Sequence, residues 1–179
     1  MVSTEGLHAY EEDNLLLSLP KEKGWAVQHL YLFQHFWCPS IIFQGVINFQ
    51  KHFQAKDSDV IVSSFPKSGT TWLKALTFAI INRQRFSSSH NHPLLTSNSH
   101  ELVPFLEFVF HVDNIQDKLS HLSNMTEPRV FGTHLPFPSL PNSIKDSNCK
   151  IVYISRNPFD TFVSFWIFTI RLTHTLCIN

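Results

Sequence analysis

Lys67-Ser68-Gly69-Thr70-Thr71 places one cation, one glycine and three hydroxyls in five consecutive positions. These are the groups that hold an anion. Unpaired N–H groups at a helix N-terminus, hydroxyl donors and a positive charge all favour phosphate or sulfate. Pro66 fixes the entry into the turn, and Gly69, with no Cβ, permits a positive φ or a close approach of ligand to backbone. The order of residues excludes the G-x-x-x-x-G-K-[ST] loop, in which the lysine follows the second glycine. Here Lys67 precedes the glycine of the turn. A helix capped without any ligand would use the same Ser and Thr, so the turn by itself leaves both readings open.

The surrounding elements decide where such a turn would sit. An apolar run, Val60-Ile61-Val62, precedes it, and an amphipathic stretch from about Thr70 to about Arg83 follows. That is strand, tight turn, helix. The pattern recurs. Arg129-Val130-Phe131 reads as a strand ending at Gly132-Thr133-His134. Lys150-Ile151-Val152-Tyr153-Ile154 reads as a buried strand followed by Ser155-Arg156-Asn157-Pro158 and a helix from Phe159. Strands alternating with helices predict an α/β fold, a parallel sheet flanked by helices. In such sheets ligands bind beyond the carboxyl ends of the strands, and Lys67, His134 and Arg156 each follow one. Any of the three alone would be an ordinary surface charge or loop histidine; together they predict a site.

Elsewhere the signals are coarser. Residues 1–24 read as a mobile polar leader with a turn at Pro20–Gly24, and Trp25 to Trp37 is aromatic-rich without a clear period. Pro39 predicts the start of a helix carrying Ile42, Val46, Phe49 and Phe53. Arg85 to His100 reads as a Ser/Asn/His loop, and Leu102 to Val112 as one apolar-faced segment bearing Glu107.

Composition bounds the class. The 179 residues favour one domain; 43% are hydrophobic and 16% charged, as in a globular core rather than a disordered chain. Lys plus Arg and Asp plus Glu are 14 each, so no basic excess points to nucleic acid. Cys38, Cys149 and Cys177 are odd in number and widely spaced, which predicts reduced thiols of a cytoplasmic protein rather than a disulfide frame or zinc site. His90, His92 and His100 lack a Cys or carboxylate at ligand spacing, so no metal is expected. The apolar stretch Thr161–Ile170 is too short to span a bilayer, so no membrane is expected either. Seventeen Phe residues suggest an aromatic-rich core, with Phe105, Phe108, Phe110 and Phe137 as core or as the lining of a pocket.

At this point several motifs resemble one family. Phe65–Leu73 resembles the 5′-phosphosulfate loop of the cytosolic sulfotransferases. Thr133-His134-Leu135-Pro136 resembles their catalytic-histidine segment, and Tyr153–Asp160 with Ser164 their 3′-phosphate motif. His100–Glu107 and Gln50-Lys51-His52-Phe53 resemble the plant branch, which acts on flavonols and steroids. The resemblance implies sulfuryl transfer from 3′-phosphoadenosine 5′-phosphosulfate (PAPS) to a hydroxyl of a small organic acceptor. It implies that Lys67 holds the 5′-phosphate and the leaving oxygen, that Ser68, Gly69, Thr70 and Thr71 donate to the phosphosulfate, and that Trp72 stacks on adenine. His134 would be the general base, and Arg156, with Ser164 beside it, would grip the 3′-phosphate.

Two departures accompany the match. Gly132 stands where many animal members have a lysine, two residues before the histidine. All five glycines lie at 6, 24, 45, 69 and 132, so the family's late glycine-rich Arg-Lys-Gly segment is not in this sequence. The chain therefore reads as a C-terminally truncated sulfotransferase: leader 1–24, N-terminal part of the domain 25–166, divergent tail 167–179. A truncated, non-catalytic fragment with weak or no PAPS binding is the alternative expectation.

Overall fold

The computed structural model describes residues 14–24, 27–87, 89–111 and 114–176. It opens on a small antiparallel meander, β1 (Lys21–Lys23), β2 (His29–Phe33) and β3 (Phe36–Pro39). The described part of the aromatic-rich segment is thus strands of this sheet, with Tyr31, Phe33 and Phe36 packed against the core and Trp37 exposed. Tyr31 and Phe33 pack on Phe43 with ring centroids 5.8 and 5.3 Å apart. Residues 1–13 of the expected leader, and Trp25, lie outside the described residues. The described part of the leader is tied down: Leu15, Leu16 and Leu19 pack against the core, and β1 pairs with β2.

Pro39 caps helix α1 (Ser40–His52), as the sequence predicts. Its buried face, Ile42, Phe43, Val46 and Phe49, joins Phe53, Phe110, Phe131 and Ile61 in the main core. Phe53 meets Phe131 edge-on at 5.6 Å and Phe110 at 6.2 Å. One position on α1 is set by backbone proximity. A Cβ on Gly45 would lie 2.0 Å from the Glu107 carbonyl oxygen. In an isolated helix Gly→Ala is favourable by up to about 1 kcal/mol. Here overpacking reverses the sign: Gly45→Ala is expected to cost about 1–3 kcal/mol, read as a lower denaturation midpoint with unchanged slope.

The second sheet is parallel. β4 (Val60–Ser64) lies between β5 (Val130–Thr133) and β6 (Lys150–Ile154). All residues of β4 and β5 are buried, which suits their apolar runs; β6, expected as a buried strand, has no buried residue, because its outer edge and one face are left uncovered among the described residues. Ser63 sits opposite both Thr133 and Tyr153. The three strands therefore end nearly level, and their continuations leave the sheet on one side. The α/β class and the parallel sheet agree with the sequence reading. Helix α2 (Thr70–Ile81) follows β4.

The segment between α2 and β5 differs from expectation. The stretch 85–100 is not a plain loop: it holds 3-10 turns at Ser89–Asn91 and Pro93–Leu95 and the start of α3 (Ser99–Leu102). Asn98 and Glu101 form a reciprocal capping box on α3. The apolar-faced segment from Leu102, described as far as His111, is broken in two. Pro104 interrupts it before α4 (Leu106–Val109). The interruption runs along β5, where the Gly132 N–H donates to the Pro104 carbonyl at 2.8 Å and Phe105 bridges Gly132. After α5 (Ile115–Ser123) and α6 (Asn142–Lys145), α7 (Pro158–Leu176) runs as one helix past position 166. Cys38 and Cys149 are free thiols; burial pushes Cys38 up to about 12. Cys177 lies outside the described residues.

Candidate active site

The β4–α2 turn owes its shape to two left-handed residues, Lys67 at φ 67° and Gly69 at φ 104°. Glycine accepts this at no cost; for lysine it is an uncommon conformation of the kind that collects at functional sites. Such a turn before a helix curls successive N–H groups toward a common point. The helix start has no side-chain cap and no acidic residue in its first turn, so its macrodipole is left for an anion.

A cavity of about 630 Å³ opens over this turn. Its wall includes Lys67, Gly69, Thr70, Thr71, Trp72, His134, Arg156 and Ser164. Every sequence-predicted site residue except Ser68 thus faces one space. Ser68 is buried in the turn, its N–H donating to the Phe65 carbonyl at 3.2 Å. Trp72, 84% exposed, stands clear of the core beside the cavity. The Lys67 ammonium lies 4.4 Å from the centre of the Phe168 ring on α7. The Thr70 hydroxyl meets the Ser64 hydroxyl at 2.6 Å, so it is held rather than free to rotate.

His134 is oriented from two sides. Its Nδ1 lies 2.7 Å from the Ser64 carbonyl oxygen, and its own N–H donates to Glu107 Oε1 at 2.8 Å. A carbonyl can only accept, so Nδ1 carries the proton and Nε2 keeps its lone pair. Burial pulls the imidazole down to about 4; the Ser64 carbonyl works the other way, and Lys74 and His100 add to the fall. The ring is neutral at pH 7 and able to accept a proton. His134 also lines a second, more apolar cavity of about 450 Å³ with Phe65, Phe137 and Tyr153. The aromatics left open by the sequence divide accordingly: Phe110 is core, Phe105 and Phe108 face the first cavity, Phe137 the second.

Behind His134 lies a charged cluster that the sequence reading did not assign to the site. Lys74, on α2, is solvent-inaccessible. Its Nζ lies 3.3 Å from His100 Nδ1 and 2.9 Å from the centre of the Phe105 ring. Burial pulls it down to about 7, with Glu107 pulling upward. Burial also raises Glu107, against its hydrogen bonds and Lys74. Gly132 is the reason the lysine fits: a Cβ there would lie 2.3 Å from Lys74 Cε and 2.7 Å from Nζ. A cation thus stands over position 132 although residue 132 has no side chain. The sequence signal was the i, i+3 spacing of Thr71 and Lys74, which shares a helix face. Among the described residues no group of three or more His, Cys, Asp or Glu could hold a metal ion.

The model of the sulfotransferase domain matches residues 57–175, a span that contains the turn, His134 and Arg156. The chain belongs to the sulfotransferase family. It is 52% identical over 168 residues to cytosolic sulfotransferase 15 of Arabidopsis thaliana, covering 92% of this chain and 46% of that one. With Arabidopsis cytosolic sulfotransferase 12 it shares 54% over 160 residues, 88% of this chain and 48% of the other. A crystal structure of an Arabidopsis protein assigned as a steroid sulphotransferase is 50% identical, with TM-score 0.80, covering 96% of this chain and 60% of that one. A mouse sulfotransferase solved in complex with PAP, 3′-phosphoadenosine 5′-phosphate, is 26% identical with TM-score 0.54, covering 78% of this chain and 43% of the other. The chain spans about half the length of the curated relatives it matches.

Proposed function

We propose that this chain serves sulfuryl transfer from PAPS to a hydroxyl of a small organic acceptor, a flavonoid, steroid or other phenol or alcohol. The observation that carries the reading is the single cavity that gathers Lys67, Gly69, Thr70, Thr71, Trp72, His134, Arg156 and Ser164. The sulfotransferase family and the relatives solved with PAP support the donor; the neutral His134 at the junction of two cavities supports the chemistry.

The roles follow from charge and position. Lys67 would offset the charge of the 5′-phosphosulfate and the charge that grows on the departing phosphate oxygen, while the N–H groups of the turn and the Thr70 and Thr71 hydroxyls would donate hydrogen bonds to it; Ser68, buried in the turn, would contribute through the turn's shape. His134 Nε2 would take the acceptor's proton as its oxygen bonds to sulfur and the bond from sulfur to the phosphate breaks, leaving PAP and a sulfate ester. Arg156 and Ser164 would hold the 3′-phosphate, where a guanidinium offers a fork. Trp72 would offer its exposed face to adenine. The acceptor would reach His134 from the apolar side, between Phe105 and Phe108 or past Phe137. The activity would sit in the cytosol, a reading supported by the names of the relatives; no helix among the described residues is long and apolar enough to cross a membrane. A second reading, a non-catalytic fragment with weak or no PAPS binding, is favoured by the half-length match to the relatives.

Calorimetric titration with PAP tests the site. Lys67→Ala and Arg156→Ala are each expected to weaken binding about tenfold or more, the effect of a lost charge-assisted hydrogen bond. Wild-type binding with both variants unaffected, or no binding at all, would overturn the donor site. Transfer of radiolabelled sulfate to a panel of phenols and sterols separates turnover from binding alone.

A further inference from the structure

Two polar contacts of the His100 ring form a chain with a direction. Lys74 Nζ is 3.3 Å from His100 Nδ1, and His100 Nε2 is 3.1 Å from Thr71 Oγ1. An ammonium has three N–H donors and no acceptor, so a charged Lys74 obliges His100 Nδ1 to accept. A neutral imidazole has one N–H, which must then sit on Nε2 and donate to Thr71 Oγ1. With its oxygen accepting from His100, the Thr71 hydroxyl spends its own hydrogen elsewhere, and Thr71 lines the anion cavity. His100 is held in place for this: its ring stacks on Phe105 at 5.3 Å and 21°, and its N–H donates to the Asn98 side chain at 2.9 Å. Lys74 is held by the gap at Gly132 and the Phe105 face.

We propose that Lys74, His100 and Thr71 form a directional hydrogen-bond relay that aims the Thr71 hydroxyl hydrogen into the anion cradle, with Lys74 and His100 as positioning residues. The relay rests on the donor-site reading above for the identity of the anion, but not for its own polarity. A bound phosphosulfate reinforces it, because added negative charge in the cavity favours the ammonium form of Lys74. The groups that face Lys74 are His100 from α3, Glu107 from α4 and His134 beyond β5. Burial works against the charged form and Glu107 for it, so the ammonium that sets the direction prevails below about pH 7, where the tautomer is to be read; the two imidazoles, being neutral, leave Lys74 free to donate.

The polarity is tested in the free chain by nitrogen-15 NMR of labelled histidine, with His100→Gln to assign the signal. His100 is expected to show a protonated Nε2 and an unprotonated, accepting Nδ1; the opposite tautomer overturns the relay even if PAP binds. The coupling is tested by PAP titration. Lys74→Met keeps the length and loses the donor, and is expected to weaken PAP about five- to tenfold. Thr71→Val is expected to do the same. The decisive result is the double variant. If the lysine acts through Thr71, Lys74→Met has no further effect in the Thr71→Val background. Additive losses would make Lys74 merely structural and overturn the proposal. If Lys74→Met fails to fold, the tautomer in the wild-type chain still decides, and if the wild-type chain does not bind PAP, the donor reading fails while the tautomer measurement stands.

Discussion

Sulfuryl transfer from PAPS to a phenolic acceptor is expected to fall about 10²- to 10⁴-fold in His134→Gln, the range for removing a positioned general base. Glutamine retains a donor for the Ser64 carbonyl but offers no basic nitrogen. The loss is therefore expected in kcat, with a much smaller change in the KM for PAPS. The pH profile adds a sign. The base must be neutral, and in the free chain His134 is protonated only near or below about 4. The acid limb of kcat/KM is thus expected below pH 5, with no loss from this group between 6 and 8. Bound donor brings negative charge beside the imidazole, which favours its protonated form. The acid limb of kcat, which reports the occupied site, is expected at higher pH than that of kcat/KM. A transfer rate unchanged in the variant, or a kcat limb displaced toward acid, would remove His134 from the base role.

The turn and the strand ends that carry Lys67, His134 and Arg156 were legible in the sequence because each is local; the base role proposed for His134 came with the family resemblance. A strand, a turn and a helix start are written in consecutive residues, and a parallel sheet sends the ends of three such strands to one side. What supports them was not. His100 is 26 residues from Lys74, and Ser64 is 70 residues from His134. Nothing in either local string reports the other. Glu107 read as a polar residue of an apolar-faced segment, yet after the break at Pro104 its carboxylate is buried and receives the His134 backbone N–H. The meander failed to show for a different reason. In so aromatic a segment nearly every residue is apolar, so a period of two has nothing to alternate with. The glycine at 132, which sequence comparison presents only as a missing lysine, becomes intelligible once Lys74 is seen occupying its space.

The same blindness to distance hid the ion pair that fixes the sheet. Asp59 and Arg129 stand at the entrances to β4 and β5, 70 residues apart, and both are buried. The guanidinium donates from Nε to Oδ1 at 2.8 Å and from Nη2 to Oδ2, and also to the carbonyls of Leu122 and Gln54 at 3.1 Å. Its plane lies 5.3 Å from the Phe131 ring centre and 5.8 Å from that of Phe53. Four of its five N–H donors thus meet four acceptors in a dry, aromatic setting, where one unmatched charge is far more costly than in water. Asp59→Ala is expected to destabilise the fold by about 3–5 kcal/mol, a large part of the usual total, and to lower the melting temperature by roughly 10 °C. The nearby Lys56–Glu127 pair supplies the contrast. It is 2.6 Å long, but both side chains are more than a third exposed, so Glu127→Ala is expected to leave the denaturation midpoint nearly unchanged. Removing both buried charges, in Asp59→Leu with Arg129→Met, separates the two terms. An apolar pair leaves no orphaned guanidinium, so the double variant is expected to recover much of what the single one loses. Chemical denaturation followed by circular dichroism measures all three. A single-variant loss below 1 kcal/mol, or a double variant worse than the single, would mean that the pair does not clamp β4 to β5, and that the level strand ends on which the site depends are held by the core aromatics alone.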